Sequence, residues 1–214
     1  MTAAGIALGV GADALFGDPR RFHPVAGFGQ AAAACERVVY RPTRVAGAVY
    51  AGVLVGGAAL LGVALERVLP RSLARGIALY VALGGRSLAR EAQAVADLVE
   101  RDEIEGARAR IRSLVGRDPE HLDGEELCAA VIESVAENTV DAVIAPLFWV
   151  AIAGAPGVLA HRAVNTLDAM VGRRNERYGR FGTAAARADD VANWPAARLA
   201  GALTVALAGA AGAA

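Results

Sequence analysis

The chain has 214 residues, 55% of them hydrophobic and 21% charged, with a mean hydropathy of +0.39. Its 22 basic and 22 acidic residues cancel, which argues against nucleic acid or any other polyanion as a partner. Every basic residue is Arg, so Schiff-base chemistry and a Walker-type lysine are excluded, and a phosphate must be held by Arg, backbone amides or a metal. The hydrophobic share exceeds the usual range of about 45–50%.

In chain order, residues 2–15 are apolar apart from Asp13 and lack a positive n-region, so they read as a retained first helix. Phe16 to Val25 is a polar turn punctuated by Gly17, Pro19 and Pro24, opening a polar loop over 16–44. Val45 to Leu65 holds 21 residues without a charge and predicts a transmembrane helix. Residues 72–84, apolar except for Arg75, return through the membrane or lie along its interface. From Ser87 the pattern changes: Leu88, Ala92, Val95, Leu98 and Val99 recur at helical spacing. A weak point falls near Gly106, and Gly116-Arg117-Asp118-Pro119 stops the pattern. Asp123 with Glu126 forms a capping-box signal for the next helix.

The apolar stretch 142–160 contains Pro146 and a Gly154-Ala155-Pro156-Gly157 break, which predicts half-helices or a re-entrant segment. Residues 161–198 read as a polar site loop with seven Arg against four acids, and Leu199 to Ala214 as a last helix that is cut short. The fold class is therefore all-α: a multi-pass membrane protein with an N-terminal membrane region over 1–86, an extramembrane helical subdomain over 87–141, and the re-entrant segment, site loop and last helix over 142–214.

Acids at the edge of apolar stretches carry the chemistry. On one helix, Glu133, Glu137 and Asp141 stand at i, i+4 and i+8, with Asn138 beside them. Such a face can bind a hard cation or can simply be solvated. Asn165 and Thr166 could cap a helix, with Asp168 one turn on. Asp189, Asp190 and Asn193 form a pattern common in magnesium sites with phosphates, and equally common as surface pairs. Asp18 with Arg20 and Arg21 is a further cluster, readable also as an interfacial turn. Cys35 and Cys128 fit no metal spacing and read as small buried side chains. His23, His121 and His161 are scattered, which argues against zinc. No nucleophile elbow, phosphate loop or dinucleotide fingerprint is present.

Five stretches make the chain resemble the adenosylcobinamide-phosphate synthases, the membrane-bound cobyric acid–aminopropanol ligases of cobalamin biosynthesis. They are Asp13 to Val25 (DALFGDPRRFHPV), Val115 to Asp118 (VGRD), Ile132 to Phe148 (IESVAENTVDAVIAPLF), Val164 to Gly172 (VNTLDAMVG) and Arg177 to Arg198 (RYGRFGTAAARADDVANWPAAR). The resemblance implies ATP-dependent amide formation between a propionate of adenosylcobyric acid and aminopropanol or its phosphate, with Mg²⁺ on the ATP phosphates. It points to Glu137, Asn138, Asp141, Asn165 and Asp168 as catalytic residues. Asp18, Arg20, His23, Arg117, Arg187 and Asn193 would bind substrate or phosphate, and Asp168, Asp189 and Asp190 would hold metal. It also implies a multi-pass protein of the cytoplasmic membrane with its site facing the cytoplasm, in contact with membrane lipid and open to homo-oligomerisation.

Departures from the family pattern are Pro119 in place of Thr, Ile132 in place of Val and Ala169 in place of Ser. The expected C-terminal third, about a hundred residues by analogy, is absent from this chain. A non-catalytic membrane sensor or scaffold and a transporter of related fold are the competing readings.

Overall fold

The computed structural model describes residues 2–19, 23–112, 114–115 and 118–211, and these contain helices and no strand. The helices are α1 (Thr2–Phe16), α2 (Pro24–Val39), α3 (Arg44–Val68), α4 (Arg71–Ala82), α5 (Gly85–Glu100), α6 (Ile104–Ile111), α7 (Gly124–Thr139), α8 (Ala145–Val171), α9 (Tyr178–Phe181) and α10 (Thr183–Ala211). A π turn, Val140–Ile144, joins α7 to α8.

The central helix is α3. Thr43 starts it by accepting the Ala46 N–H at 3.2 Å, and its 25 residues make a rod about 37 Å long. Glycine sets its packing at two levels. A Cβ on Gly47 would strike the Phe181 carbonyl, and one on Gly62 would lie 2.5 Å from the Pro156 backbone. Around α3, Val45, Val49, Val53, Leu60 and Leu61 stay exposed.

The long helical run through α7 and α8 is not one rod. Asn165 Nδ2 lies 3.3 Å from Asp141 Oδ2, 24 residues earlier. A straight α-helix would separate them by about 36 Å. The chain reverses at Gly154, whose φ of 66° and ψ of −152° belong to a region that only glycine populates freely. Residues 145–153 and 155–171 are thus the two arms of a helical hairpin.

Glu66 secures the bend. Its Oε1 accepts the Ala155 N–H and the Arg75 Nε–H, both at 2.9 Å. Arg75 Nη1 in turn donates to Thr2 Oγ1 at 2.7 Å. A new helical arm begins at Ala155, so the carboxylate meets both a free backbone donor and the positive end of the arm. Pro156 sits in that first turn, where its missing N–H has no intrahelical partner to lose.

By length and composition, α3 and the run Gly124–Val171 (48 residues) are long and apolar enough to cross a membrane. The reversal qualifies the second of these. The apolar arm including the π turn, residues 140–153, reaches only about 21 Å, short of a hydrocarbon core of about 30 Å.

Two smaller units flank the hairpin. Gly5, Gly9 and Gly76 let α1 and α4 approach closely, with Leu79 filling the seam. The end of α4 is tied to the π turn where the Gly84 N–H donates to the Ala142 carbonyl at 3.1 Å. Helices α5, α6 and α7 share a core of Val95, Ala107, Ile111, Leu127 and Ala130, and α7 opens with the capping box of Asp123 and Glu126.

Several local expectations need correction. The break near Gly106 falls instead at 101–103, where Asp102 takes a φ of 61° and Gly106 continues α6. The polar loop expected over 16–44 contains α2, started by His23, whose Nδ1 accepts the Val25 N–H. The polar loop expected over 161–198 is largely helical, because His161, Val164, Leu167 and Val171 keep a buried helical stripe under the polar residues. Cys35 and Cys128 are free and half-buried rather than fully buried.

The remaining connection, 172–182, is pinned by a carboxylate. Glu36, only 6% exposed, accepts Arg177 Nη2 at 2.8 Å and the Tyr178 hydroxyl at 3.0 Å. Arg177 also stacks over the Tyr40 ring at 4.6 Å. This fixes where α10 begins, and so where its acids stand.

Candidate functional site

The hairpin places the start of its first arm beside the polar half of its second, and α10 packs against both. At that junction Asn165 Nδ2 lies between two carboxylates, 3.3 Å from Asp141 Oδ2 and 3.4 Å from Asp189 Oδ1. Asn193 Nδ2 donates to the other oxygen of Asp189 at 3.0 Å. Asn193 Oδ1 meets His161 Nε2 at 2.8 Å. On the far side, Arg162 Nη1 reaches Asn165 Oδ1 at 3.5 Å. The result is a chain of side chains running Arg162, Asn165, Asp141 and Asp189, Asn193, His161.

Each position follows from helical spacing. His161, Asn165 and Asp168 lie one turn apart on α8, and Asp189 and Asn193 stand at i, i+4 on α10. Trp149 Nε1 donates to the Ala192 carbonyl at 3.1 Å, which fixes α10 against the first arm. Amide groups fit this junction because Asn donates to a carboxylate without adding charge.

Among the described residues, the acids outnumber the cations here. Asp141 is half-buried and feels Glu137 and Asp168 as like charges and Arg162 as an opposite one. Asp168 in turn feels Asp189 and Asp190. Burial pushes the Asp189 carboxyl above its ordinary range, and the neighbouring charge of Asp141 pushes it further. Two buried nitrogens, His161 Nδ1 and Arg162 Nε, have no partner among the described residues.

A second group adjoins this one. Asp18 Oδ1 lies 3.3 Å from His23 Nε2, and the Asp18 N–H donates to Ser87 Oγ at 3.4 Å. Because His23 Nδ1 accepts a backbone N–H, its Nε2 carries the proton toward Asp18. Arg162 lies within electrostatic reach of both Asp18 and Asp141 and links the two groups.

Of the expected residues, Asp18, His23, Asp141, Asn165, Asp168, Asp189 and Asn193 gather around this junction. Glu137 is exposed one turn from Asp141. Asn138 turns away: its Nδ2 donates to the Ser134 carbonyl at 2.8 Å and to Ser134 Oγ at 3.1 Å on its own helix. Asp190 and Arg187 lie on the exposed side of α10. Arg20 and Arg117 lie outside the described residues.

Sequence reasoning passed over His161 and Arg162. The available signal was position: both follow directly on the apolar run, and His161 precedes Asn165 by one helical turn. Among the described residues, no three His, Cys, Asp or Glu side chains converge to hold a metal ion.

The fold and junction define an all-helical protein in which apolar helices surround a chain of acids and amides at the root of a broken helical hairpin. The chain belongs to the CobD/Cbib protein family, whose pattern matches residues 6–214. It is 53% identical over 206 residues to the cobalamin biosynthesis protein CobD of Mycobacterium tuberculosis strain H37Rv, covering 95% of this chain and 66% of that protein. The proteins of the same name from Chromobacterium violaceum and Rhizobium meliloti strain 1021 are 43% and 41% identical, over 197 and 203 residues. Those matches cover 87% of this chain and 63% and 62% of the relatives. The chain thus spans just under two thirds of the length of these relatives. No solved structure matches it.

Proposed function

We propose that this protein acts in cobalamin biosynthesis as a membrane-embedded ligase. In this reading ATP activates a propionate carboxylate of adenosylcobyric acid, and the amine of aminopropanol or its phosphate then displaces phosphate to give the amide. Membership of the CobD/Cbib family supports the pathway. The observation that carries the chemistry is the Asp141–Asn165–Asp189 junction, where half-buried carboxylates stand at hydrogen-bonding distance from one amide.

Attack by an amine requires the loss of a proton, and a carboxylate held above its ordinary range is suited to accept one. Asp189 is such a group, and Asn193 holds it in place. Asn165, held by Asp141, orients the reacting carboxyl. Asp18, set by His23 and Ser87, forms the opposite wall.

The donor set suits Mg²⁺ delivered with ATP. Asp168 and Asp190 would supply hard oxygen ligands but, among the described residues, no closed cage, and Mg²⁺ typically takes one or two carboxylates together with phosphate oxygens and water. Bound there, the ion would neutralise phosphate charge. The protein would lie in the cytoplasmic membrane with α3 spanning it, the hairpin re-entering, and the acids facing the cytoplasm, where ATP is found. The exposed apolar residues of α3 support that placement.

The test is product formation by detergent-solubilised protein supplied with cobyric acid, aminopropanol phosphate, ATP and Mg²⁺, followed by mass. Amide product should form, and Asp141→Ala or Asn165→Ala should lower kcat by about a thousandfold while the protein still folds. Product only from a chain extended to the length of the relatives would assign a catalytic part to the region of the relatives that these 214 residues do not span. A broken hairpin bearing acids also suits a secondary transporter. Corrinoid uptake without ATP consumption would favour that reading and sink the ligase.

A further inference from the structure

A groove of about 320 Å³ opens between α2, α3, α4 and α8. Its walls are Val25 and Phe28 of α2, Val53, Leu54 and Leu61 of α3, and Leu159 of α8. The volume is at the lower end for a small-molecule site, and the walls offer almost nothing polar. The exception is Arg162, the one charged residue lining the groove among the described residues.

Arg162 is short of partners. Its Nε is buried and finds no acceptor, and its Nη1 contact with Asn165 is long at 3.5 Å. No carboxylate pairs with it directly among the described residues; Asp18 and Asp141 act on it only at a distance. A buried guanidinium with an idle donor is costly unless an anion meets it. An anion arriving through this groove must also bring an apolar body, because the walls would otherwise lose water for no return.

The mouth of the groove narrows the choice further. Val53 and Leu61 line it and are 64% and 57% exposed, so the groove continues onto the bare apolar surface of α3. That surface is the one assigned above to membrane, and the inference rests on that placement. A ligand reaching the groove along this path comes from the bilayer.

We propose that the groove holds one acyl chain of an anionic phospholipid, with its phosphate drawn to the Arg162 guanidinium. A neutral lipid would fill the walls and leave Arg162 Nε idle. A small soluble anion would satisfy Arg162 and leave the walls empty. The anionic lipid does both, as basic pockets between membrane helices do for lipid head groups. The bound phosphate also sets Arg162 against Asn165, so occupancy of the groove is coupled to the acid junction.

Gly57 gives a direct way to close the groove. It lies on the lining, and a Cβ there meets nothing within 4 Å, so a larger side chain enters open space. The experiment is native mass spectrometry of protein reconstituted in vesicles of equal phosphatidylglycerol and phosphatidylcholine, then transferred to mild detergent. The retention measurement itself uses neither ATP nor corrinoid, so its outcome is independent of the ligase assay; cobyric acid enters only in a final competition step. The wild type should retain one phosphatidylglycerol with about tenfold preference, a difference of about 1.4 kcal/mol. Arg162→Gln should retain either lipid equally, and Gly57→Leu should retain neither, each with unchanged helical content by circular dichroism. Equal retention of the two lipids by the wild type would overturn the proposal, as would retention of phosphatidylglycerol by Gly57→Leu. Release of the bound lipid on adding cobyric acid would also overturn it and assign the groove to the substrate. A dimer lacking lipid would assign it to a second copy of the chain.

Discussion

The two ends of the hairpin hold carboxylates in opposite ways. At the bend, Glu66 receives a backbone N–H and an Arg75 N–H on one oxygen, and Arg75 is itself tied to Thr2. At the root, Asp141 and Asp189 flank a neutral amide with Asp168 in electrostatic reach, and among the described residues the nearby Arg162 guanidinium pairs with none of them. The bend is electrostatically closed and serves the fold. Among the described residues the root is left open, with excess negative charge and idle nitrogen donors. The kind of partner each acid has, rather than acidity itself, separates the structural carboxylate from the chemical one.

This contrast can be broken from the bend side first. Gly154→Ala should be the most damaging change to stability. It forces a side chain into a backbone region reserved for glycine and drives a methyl group into the Glu66 carboxylate beside the Arg75 guanidinium. Loss of roughly 3 kcal/mol or more is expected, seen as a thermal transition in detergent lowered by about 9 °C. Next, Glu66→Ala leaves Arg75 and the Ala155 N–H without their acceptor, for a loss of about 3 kcal/mol. Glu66→Gln, which keeps an acceptor oxygen, should recover part of it. A Glu66→Ala protein melting with the wild type would show that the bend does not depend on its carboxylate.

The root should respond with the opposite sign, and more weakly. The raised Asp189 carboxyl holds its proton more tightly in the folded than in the unfolded chain. As pH rises, the unfolded chain ionises first, so this group favours the native state at low pH. It subtracts from stability once pH has passed through the raised range. Asp189→Asn should therefore melt about 2 °C higher than the wild type near pH 7.5. The gain should vanish below the ordinary carboxylate range near pH 4. The same variant should lose ligase activity, since a neutral amide cannot take a proton. Destabilisation at pH 7.5 would show that the hydrogen bonds from Asn165 and Asn193 outweigh the charge crowding.

The sequence made some of this visible because the determinants are local. The capping box at Asp123 and Glu126, the uncharged length of α3, and the break near Gly154 each depend on residues within one or two turns. The reversal that brings Asn165 to Asp141 was harder to see. A Gly-Ala-Pro-Gly run announces a break but does not state its angle, and only tertiary contacts with Glu66 and Arg75 fix it. Helix α2 was hidden because Ala-rich sequence between prolines and arginines lacks a clear apolar stripe. Arg162 escaped notice for a related reason. An Arg at the end of an apolar run reads as an interfacial anchor, and its enclosure depends on α2 and α3, which are distant in sequence.

The π turn at Val140–Ile144 has a consequence for insertions and deletions. A π turn is an α-helix carrying one residue too many, and here it stands between α7 and the first arm of the hairpin. Deleting Val143 would remove no acid, amide or arginine, and the composition of the site would be unchanged. The helix would regularise, however, and Asp141, inside the turn, would move by about one residue position, or 100°, around the helix relative to α8. Trp149 would keep the Ala192 carbonyl, but the Asp141 carboxylate would swing off Asn165. The site is specified by a residue count as much as by residue identities, and a one-residue gap at 140–144 would mark a chain that keeps the motif but has lost the junction.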